Sequence, residues 1–210
     1  MKLYTFPVAP NPTKVALYLA EKRLAGVDLG IESVFVDLTK GEQRAAAHAA
    51  RNPLQRLPVL ELDDGSHLTE SLAIIEYLEE RVPRPSLWGD DPEERARARE
   101  VERIADTGVL GPIARIVHAT RSPLGLPPQP AIAAAAQAPL EAALGVLDAR
   151  LGDGRPFLAG ERASVADCTL AAALQFGRFA GVEPLADYRR VASWDTAYRA
   201  RPCAQEVLVA

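Results

Sequence analysis

The sequence predicts an α/β unit over residues 1–80, a linker over residues 81–90 and an all-α unit over residues 91–210. Three observations predict it. Short apolar runs with period two alternate with helical spacing along the first 80 residues. A stretch rich in proline and glycine then interrupts both patterns. After it, apolar residues recur at helical spacing to the end of the chain.

Taken in order, residues 2–6 alternate and read as a strand, and residues 7–12 form a loop with three prolines. A helix starting at Thr13 carries Val15, Leu17, Tyr18 and Leu19 and fades near Ala25 and Gly26. Residues 31–36 form a second strand, which completes a βαβ unit that crosses over right-handed. Residues 41–51 are alanine-rich and helical over a short span. Pro58 heads the next strand, Val59, Leu60 and Leu62, because a residue without an N–H belongs at a strand start or edge. Asp63-Asp64-Gly65 makes the hairpin turn and Leu68 begins the return strand. Glu70 and Ser71 open a helix with Leu72, Ile75 and Leu78 on one face. The order β-α-β-α-β-β-α is thioredoxin-like.

Asn52-Pro53-Leu54, Arg56-Leu57-Pro58-Val59-Leu60, Asp64-Gly65 and Glu70-Ser71 stand in the register of the glutathione-binding half of the glutathione transferases, and this stretch resembles that family. The resemblance implies a cis Leu57–Pro58 bond and pairing of the Leu57 N–H and C=O with the cysteinyl part of glutathione, as an added strand. It implies that Ser71 and the free N–H groups of its helix hold the γ-glutamyl carboxylate and that Glu70 takes the ammonium. Lys40 and Gln43 match positions that hold the glycyl carboxylate in theta-like members, and Arg56 matches a basic residue of similar use.

In a thioredoxin-like fold the chemistry sits where the first strand meets the first helix, where the helix N-terminus favours a thiolate. Residues 8–15 contain no cysteine, so the sulfur must come from the bound substrate. Bacterial, theta-like and beta-like members usually carry Ser or Cys where this chain has Ala9, which has no hydrogen-bonding side chain. The nu-like branch resembles Thr-Pro-Asn-Gly-x-Lys at this point. Asn11 and Lys14 keep that register, whereas Ala9 and Pro12 do not. Four activators of the thiol stand open: the Asn11 amide, the Thr13 hydroxyl (which is alternatively a helix N-cap), the offset Tyr4, and backbone N–H groups alone.

The second unit starts with Asp91-Pro92-Glu93, a cap, a proline at the first helical position and acid in the first turn. That helix is strongly charged, turns apolar at Val109, and is expected to kink at Gly108 and Gly111-Pro112. The resemblance makes it a border of the second-substrate pocket, with Arg103, Asp106, Thr107 and Leu110 as the wall. Leu87 and Trp88 of the linker are expected to fold back as an apolar patch. Residues 122–130 read as a loop. Residues 131–151 read as a helix that Pro139 either starts or kinks. Ser164-x-x-Asp167 is an N-capping arrangement, which the family uses for folding rather than chemistry. Cys168 reads as a small buried hydrophobe, and Cys203 has no base beside it.

A net charge of −4 without a basic run argues against nucleic acid and acidic membrane surfaces as partners. No apolar run reads as a membrane span, and the first residues are too polar for a signal peptide. Two cysteines suit a reducing cytoplasm rather than a disulfide framework. His48, His67 and His118 have no metal-ligand spacing, so no metal is expected. The resemblance implies a homodimeric, cytoplasmic glutathione transferase that conjugates the thiol to a small hydrophobic electrophile. Glutathione-dependent disulfide or peroxide reduction, and ligand binding without turnover, are the alternatives that Ala9 keeps open.

Overall fold

The computed structural model describes residues 1–209. Four strands, β1 (Lys2–Thr5), β2 (Glu32–Phe35), β3 (Val59–Glu61) and β4 (His67–Thr69), form one mixed sheet in the order β2-β1-β3-β4. β1 runs parallel to β2 and antiparallel to β3, and β3 pairs with β4 through the Asp-Asp-Gly hairpin. Helix α1 (Pro10–Leu24) is the crossover between β1 and β2. A 3-10 turn, Glu42–Arg44, and the short α2 (Ala46–Arg51) lead to β3, and α3 (Ser71–Arg81) follows β4. The sheet alternates as a two-sided layer should. Leu3 and Leu60 enter the main core with Val15, Tyr18, Ile74 and Leu78, whereas Tyr4, Val36, Leu57 and Val59 form a smaller cluster on the opposite face.

The helical unit consists of α4 (Pro92–Arg103), α5 (Gly111–Thr120), α6 (Pro130–Arg150), α7 (Val165–Phe179), α8 (Arg189–Arg199) and α9 (Pro202–Val207). Its core is continuous with that of the sheet, because α1 packs on both α7 and α9. Asp91 caps α4 by accepting the Glu93 and Glu94 N–H groups. The expected kink is a widened π turn, Ile104–Leu110, between α4 and α5. Gly108 lies so close to α6 that a Cβ there would stand 2.6 Å from the Ala143 Cβ, so contact between helices requires the glycine.

Two sequence expectations change. Pro139 does not start a helix; it lies inside α6, which begins at Pro130, on the exposed side. Residues Pro130–Asp153 are long and apolar enough to cross a membrane by length and composition, because a run of alanines counts as apolar. Here the segment packs Ala136, Leu140, Leu144 and Leu147 into the helical core.

The segment between α3 and α4 is latched rather than loose. The Lys22 ammonium, fully buried, donates to the carbonyls of Val82 (2.9 Å) and Pro85 (2.7 Å) and pairs with Glu79 at 2.6 Å. Glu79 also accepts from Tyr18, Ser86 and the Leu87 N–H. Leu87 and Trp88 are buried as expected, and Val165 N–H donates to Leu87 O at the start of α7.

Candidate functional site

Three loops meet at one end of the sheet. Val59 pairs with Thr69 and with Tyr4, so continuing both registers by two residues sets Leu57 opposite Ser71 and Phe6. Leu57 is therefore where β3, the start of α3 and the β1–α1 loop converge. The Leu57–Pro58 bond is cis, and among the described residues neither the N–H nor the C=O of Leu57 makes a backbone hydrogen bond. The peptide before it is held from behind. Arg56 O accepts from Asn52 Nδ2 at 3.0 Å and from His48 Nε2 at 3.1 Å. A carbonyl partner makes His48 the Nε2–H tautomer. His48 and Asn52 are four residues apart on one face of α2 and its C-cap. That spacing was visible in the sequence and could have identified His48 as a support of this loop.

Backbone strain concentrates in the same three loops. The non-glycine residues with positive φ, among the described residues, are Val8 (69°), Gln55 (54°) and Glu70 (68°). They lie respectively before α1, before Arg56-Leu57, and before Ser71. Each such conformation costs on the order of 1–3 kcal/mol and persists only where surrounding structure holds it, most often at ligand sites.

Ser71 is the first residue of α3, and Asn11 the second of α1. Ser71 Oγ donates to Asn11 Oδ1 at 3.1 Å, so the N-terminal turns of the two helices touch. Neither helix has a side-chain cap: Ala9 and Glu70 occupy the cap positions without a capping hydrogen bond. The first-turn N–H groups of α3 are thus left for an anion, together with the single Asn11 N–H that Pro10 and Pro12 leave in the first turn of α1. With its oxygen turned to Ser71, the Asn11 amide keeps its Nδ2 hydrogens free to donate.

Thr13 does not join this pair. Helix α1 begins three residues earlier than expected, because Pro10 and Pro12 suit a first turn whose N–H groups have no intrahelical partner. Thr13 is therefore inside the helix, its N–H bonded to Ala9 O, and not its cap. Its side lines a groove of about 250 Å³ with Leu3, Ile31, Ser33 and Val207, away from Ser71. Tyr4 is also engaged elsewhere. Its hydroxyl donates to Glu61 at 2.6 Å, and the Arg51 guanidinium lies over its ring.

Of the residues matched to the rest of the tripeptide, Glu70 is exposed at its strained position before α3. Gln43 is buried, and its Oε1, an acceptor, has no partner among the described residues. Lys40 is exposed and leans on Asp37 at 3.3 Å, and the Arg56 side chain is exposed.

The matched wall of the helical unit is more internally satisfied. Arg103 pairs with Asp106 at 2.5 Å and with Glu102 at 3.4 Å; Thr107 donates to Arg103 O; Leu110 is buried. Lys14, one turn along α1 from Asn11, is 1% exposed and pairs with Asp106 at 2.9 Å and Glu102 at 3.3 Å. Burial pushes the Asp106 carboxyl up, but Lys14 and Arg103 more than offset this and hold it below its ordinary value. Neither cysteine belongs to the site. Cys168 is fully buried against the Tyr198 hydroxyl, and burial pushes both thiols up, Cys203 to about 11.

These features define a thioredoxin-like domain joined to an all-α domain, with no cysteine where the first strand meets the first helix. Comparison with known proteins gives the family. Residues 3–86 match the glutathione S-transferase N-terminal domain and residues 129–194 the glutathione S-transferase C-terminal domain. The probable glutathione S-transferase GSTF2 of Oryza sativa subsp. japonica is 34% identical over 212 residues, covering 99% of this chain and 95% of that protein. A glutathione S-transferase domain-containing protein of Marinobacter aquaeolei VT8 superposes with a TM-score of 0.87 at 34% identity, covering 97% and 100% of the two chains. Maleylacetoacetate isomerase of Pseudomonas aeruginosa is 46% identical over 103 residues, 48% of this chain and 46% of that one. The chain belongs to the glutathione S-transferase family.

Proposed function

We propose that this glutathione transferase binds glutathione along Leu57 and Ser71 and conjugates its thiol to a small apolar electrophile. The contact between Ser71 and Asn11 supports this most. One hydrogen bond joins the residue assigned to the γ-glutamyl carboxylate to the residue assigned to the sulfur, beside a Leu57 peptide whose N–H and C=O are unused. In this reading the cysteinyl backbone pairs with Leu57, Glu70 takes the ammonium, and Gln43, Lys40 and Arg56 receive the glycyl end. Asn11 Nδ2 and the Asn11 backbone N–H, the one free N–H in the first turn of α1, stabilise the thiolate against an ordinary pKa of about 8.5. Holding two substrates in one cleft supplies the rest of the acceleration. Exposed Arg103 and Thr107, with Leu110 behind them, border the electrophile.

The protein acts in the cytoplasm as a two-fold homodimer, the α/β unit of one protomer against the helical unit of the other. Sedimentation at micromolar concentration that finds only a 22.6 kDa species would exclude the dimer.

The isomerase relative favours a second reading, in which bound glutathione adds to and leaves an unsaturated acid and so turns it from cis to trans. One set of measurements separates the readings. Glutathione is titrated calorimetrically, and turnover is assayed with a chloronitroaromatic, a cis-unsaturated diacid, a disulfide and a hydroperoxide. Conjugation of the chloronitroaromatic is the expected result. Turnover confined to the diacid selects the isomerase, and binding with no turnover selects a ligand-binding role. Absence of glutathione binding sinks the site assignment as a whole.

A further inference from the structure

Beside Asn11 on α1 lies a polar cluster drawn from both units of the chain. Lys14 follows Asn11 by three residues, so it lies on the same side of α1 about 4.5 Å further along the axis. Its ammonium is removed from water and shared between Glu102 at 3.3 Å and Asp106 at 2.9 Å. Arg103 bridges the same two carboxylates from the solvent side, at 3.4 and 2.5 Å. From α7 the Thr169 hydroxyl donates to Glu102 at 3.1 Å. Asp106 lies in the π turn, whose extra width is confined to the seven residues Ile104–Leu110. Two cations and two carboxylates thus form a neutral, mostly buried group across the boundary between the units. Its cation on α1 is one helical turn from the residue assigned to the thiol.

We propose that Lys14 is a positioning residue for thiol activation. Its ammonium sets a positive potential at the sulfur, and Asp106 on the helical unit trims that potential while holding Lys14 in place. Asp106 then serves the thiol through Lys14 rather than as a contact to the electrophile, and Arg103 braces it from the solvent side. The proposal rests on the reading that the glutathione sulfur lies at Asn11. In a partly buried setting, one unit charge about two helical turns away moves a thiol by about one pH unit, and the sign follows the charge removed. A residue that only holds the two units together has no such sign.

The test titrates bound glutathione through the ultraviolet absorbance of its thiolate in the full-length protein. The parent comes first, and a bound thiol titrating no lower than free glutathione overturns the underlying reading and this inference with it. Given a lowered thiol in the parent, Lys14→Met is expected to raise its apparent pKa by about one pH unit and Asp106→Asn to lower it by a similar or smaller amount. The double variant is expected to return towards the parent, and Lys14→Arg, which keeps the charge, to stay near it. Both single variants shifting the thiol in the same direction, or neither shifting it while glutathione still binds, overturns the inference and leaves the placement of glutathione intact. If Lys14→Met does not fold, Asp106→Asn and Lys14→Arg still decide it. Asp106→Asn that raises the thiol pKa, or Lys14→Arg that moves it as far as one pH unit, refutes the electrostatic role.

Discussion

Two helix starts in this molecule use the same residue types to opposite ends. At α7, Ser164 and Asp167 close on each other. Asp167 Oδ2 accepts the Ser164 N–H at 2.8 Å and the Ser164 hydroxyl at 2.7 Å; Oδ1 accepts the Leu158 N–H at 3.0 Å and Trp194 Nε1–H at 2.9 Å. The carboxyl is fully buried, and burial pushes its pKa up to about 6 despite the four donors. At α3, Ser71 makes one hydrogen bond, Glu70 supplies no cap and sits at positive φ, and the opposing Leu57 peptide is unpaired. Both are a serine at a helix start near an acidic residue. One saturates its donors inside the chain and is a structural knot; the other keeps backbone N–H donors in hand and holds strain, which is what a ligand site requires.

The largest effect expected from this difference is on folding. Asp167→Ala leaves four donors in a dry site, each costing about 1–3 kcal/mol when unmet. A loss of at least about 3 kcal/mol in urea unfolding is expected. A loss under about 1 kcal/mol would break the comparison, because the knot would then not be structural.

Ser71→Ala is the converse. In the proposed complex the Ser71 hydroxyl turns from Asn11 to the bound carboxylate; the substitution removes that hydrogen bond, worth roughly 1.5–3 kcal/mol, so calorimetry should find glutathione affinity lower by about ten- to a hundredfold. Unfolding should move by less than about 1 kcal/mol. Unchanged affinity would mean that the tripeptide lies elsewhere.

Asn11→Ala should lower kcat by about tenfold or more with a smaller change in KM, since the amide acts on developing negative charge. Ala9→Ser, which adds a hydroxyl at the start of α1, should raise conjugation by a few-fold, about 1 kcal/mol or less. Normal turnover by Asn11→Ala would transfer thiol activation to the backbone N–H groups.

The smallest effect is a pH dependence. Asp106 is held below its ordinary value of 3.8 in the folded protein, so its ionised form stabilises the fold above that value. The contribution is lost as pH falls through the depressed folded-state pKa. The stability gap between the parent and Asp106→Asn should therefore be constant near neutral pH and shrink below about pH 4. A gap that widens on acidification would contradict the pairing with Lys14.

What the sequence determined by itself was local. Element order, the Asp-Asp-Gly hairpin, the Asp91 cap, the Ser164–Asp167 pair and the buried linker residues Leu87 and Trp88 all follow from spacing and turn chemistry within a few residues. Even there the π form of the expected kink at Ile104–Leu110 escaped, because it depends on what packs alongside. Tertiary structure alone decided which polar groups meet. Asn11 and Ser71 are 60 residues apart, and Lys14 and Asp106 are 92 apart. Helical periodicity assigned Thr13 no side, whereas the structure turns it away from Ser71 into a groove shared with the C-terminal helix. The physical reason is that period and propensity report which face of an element is apolar. The partner of a polar group is chosen only when two distant elements come within about 3 Å of each other, and no pattern along the chain encodes that distance.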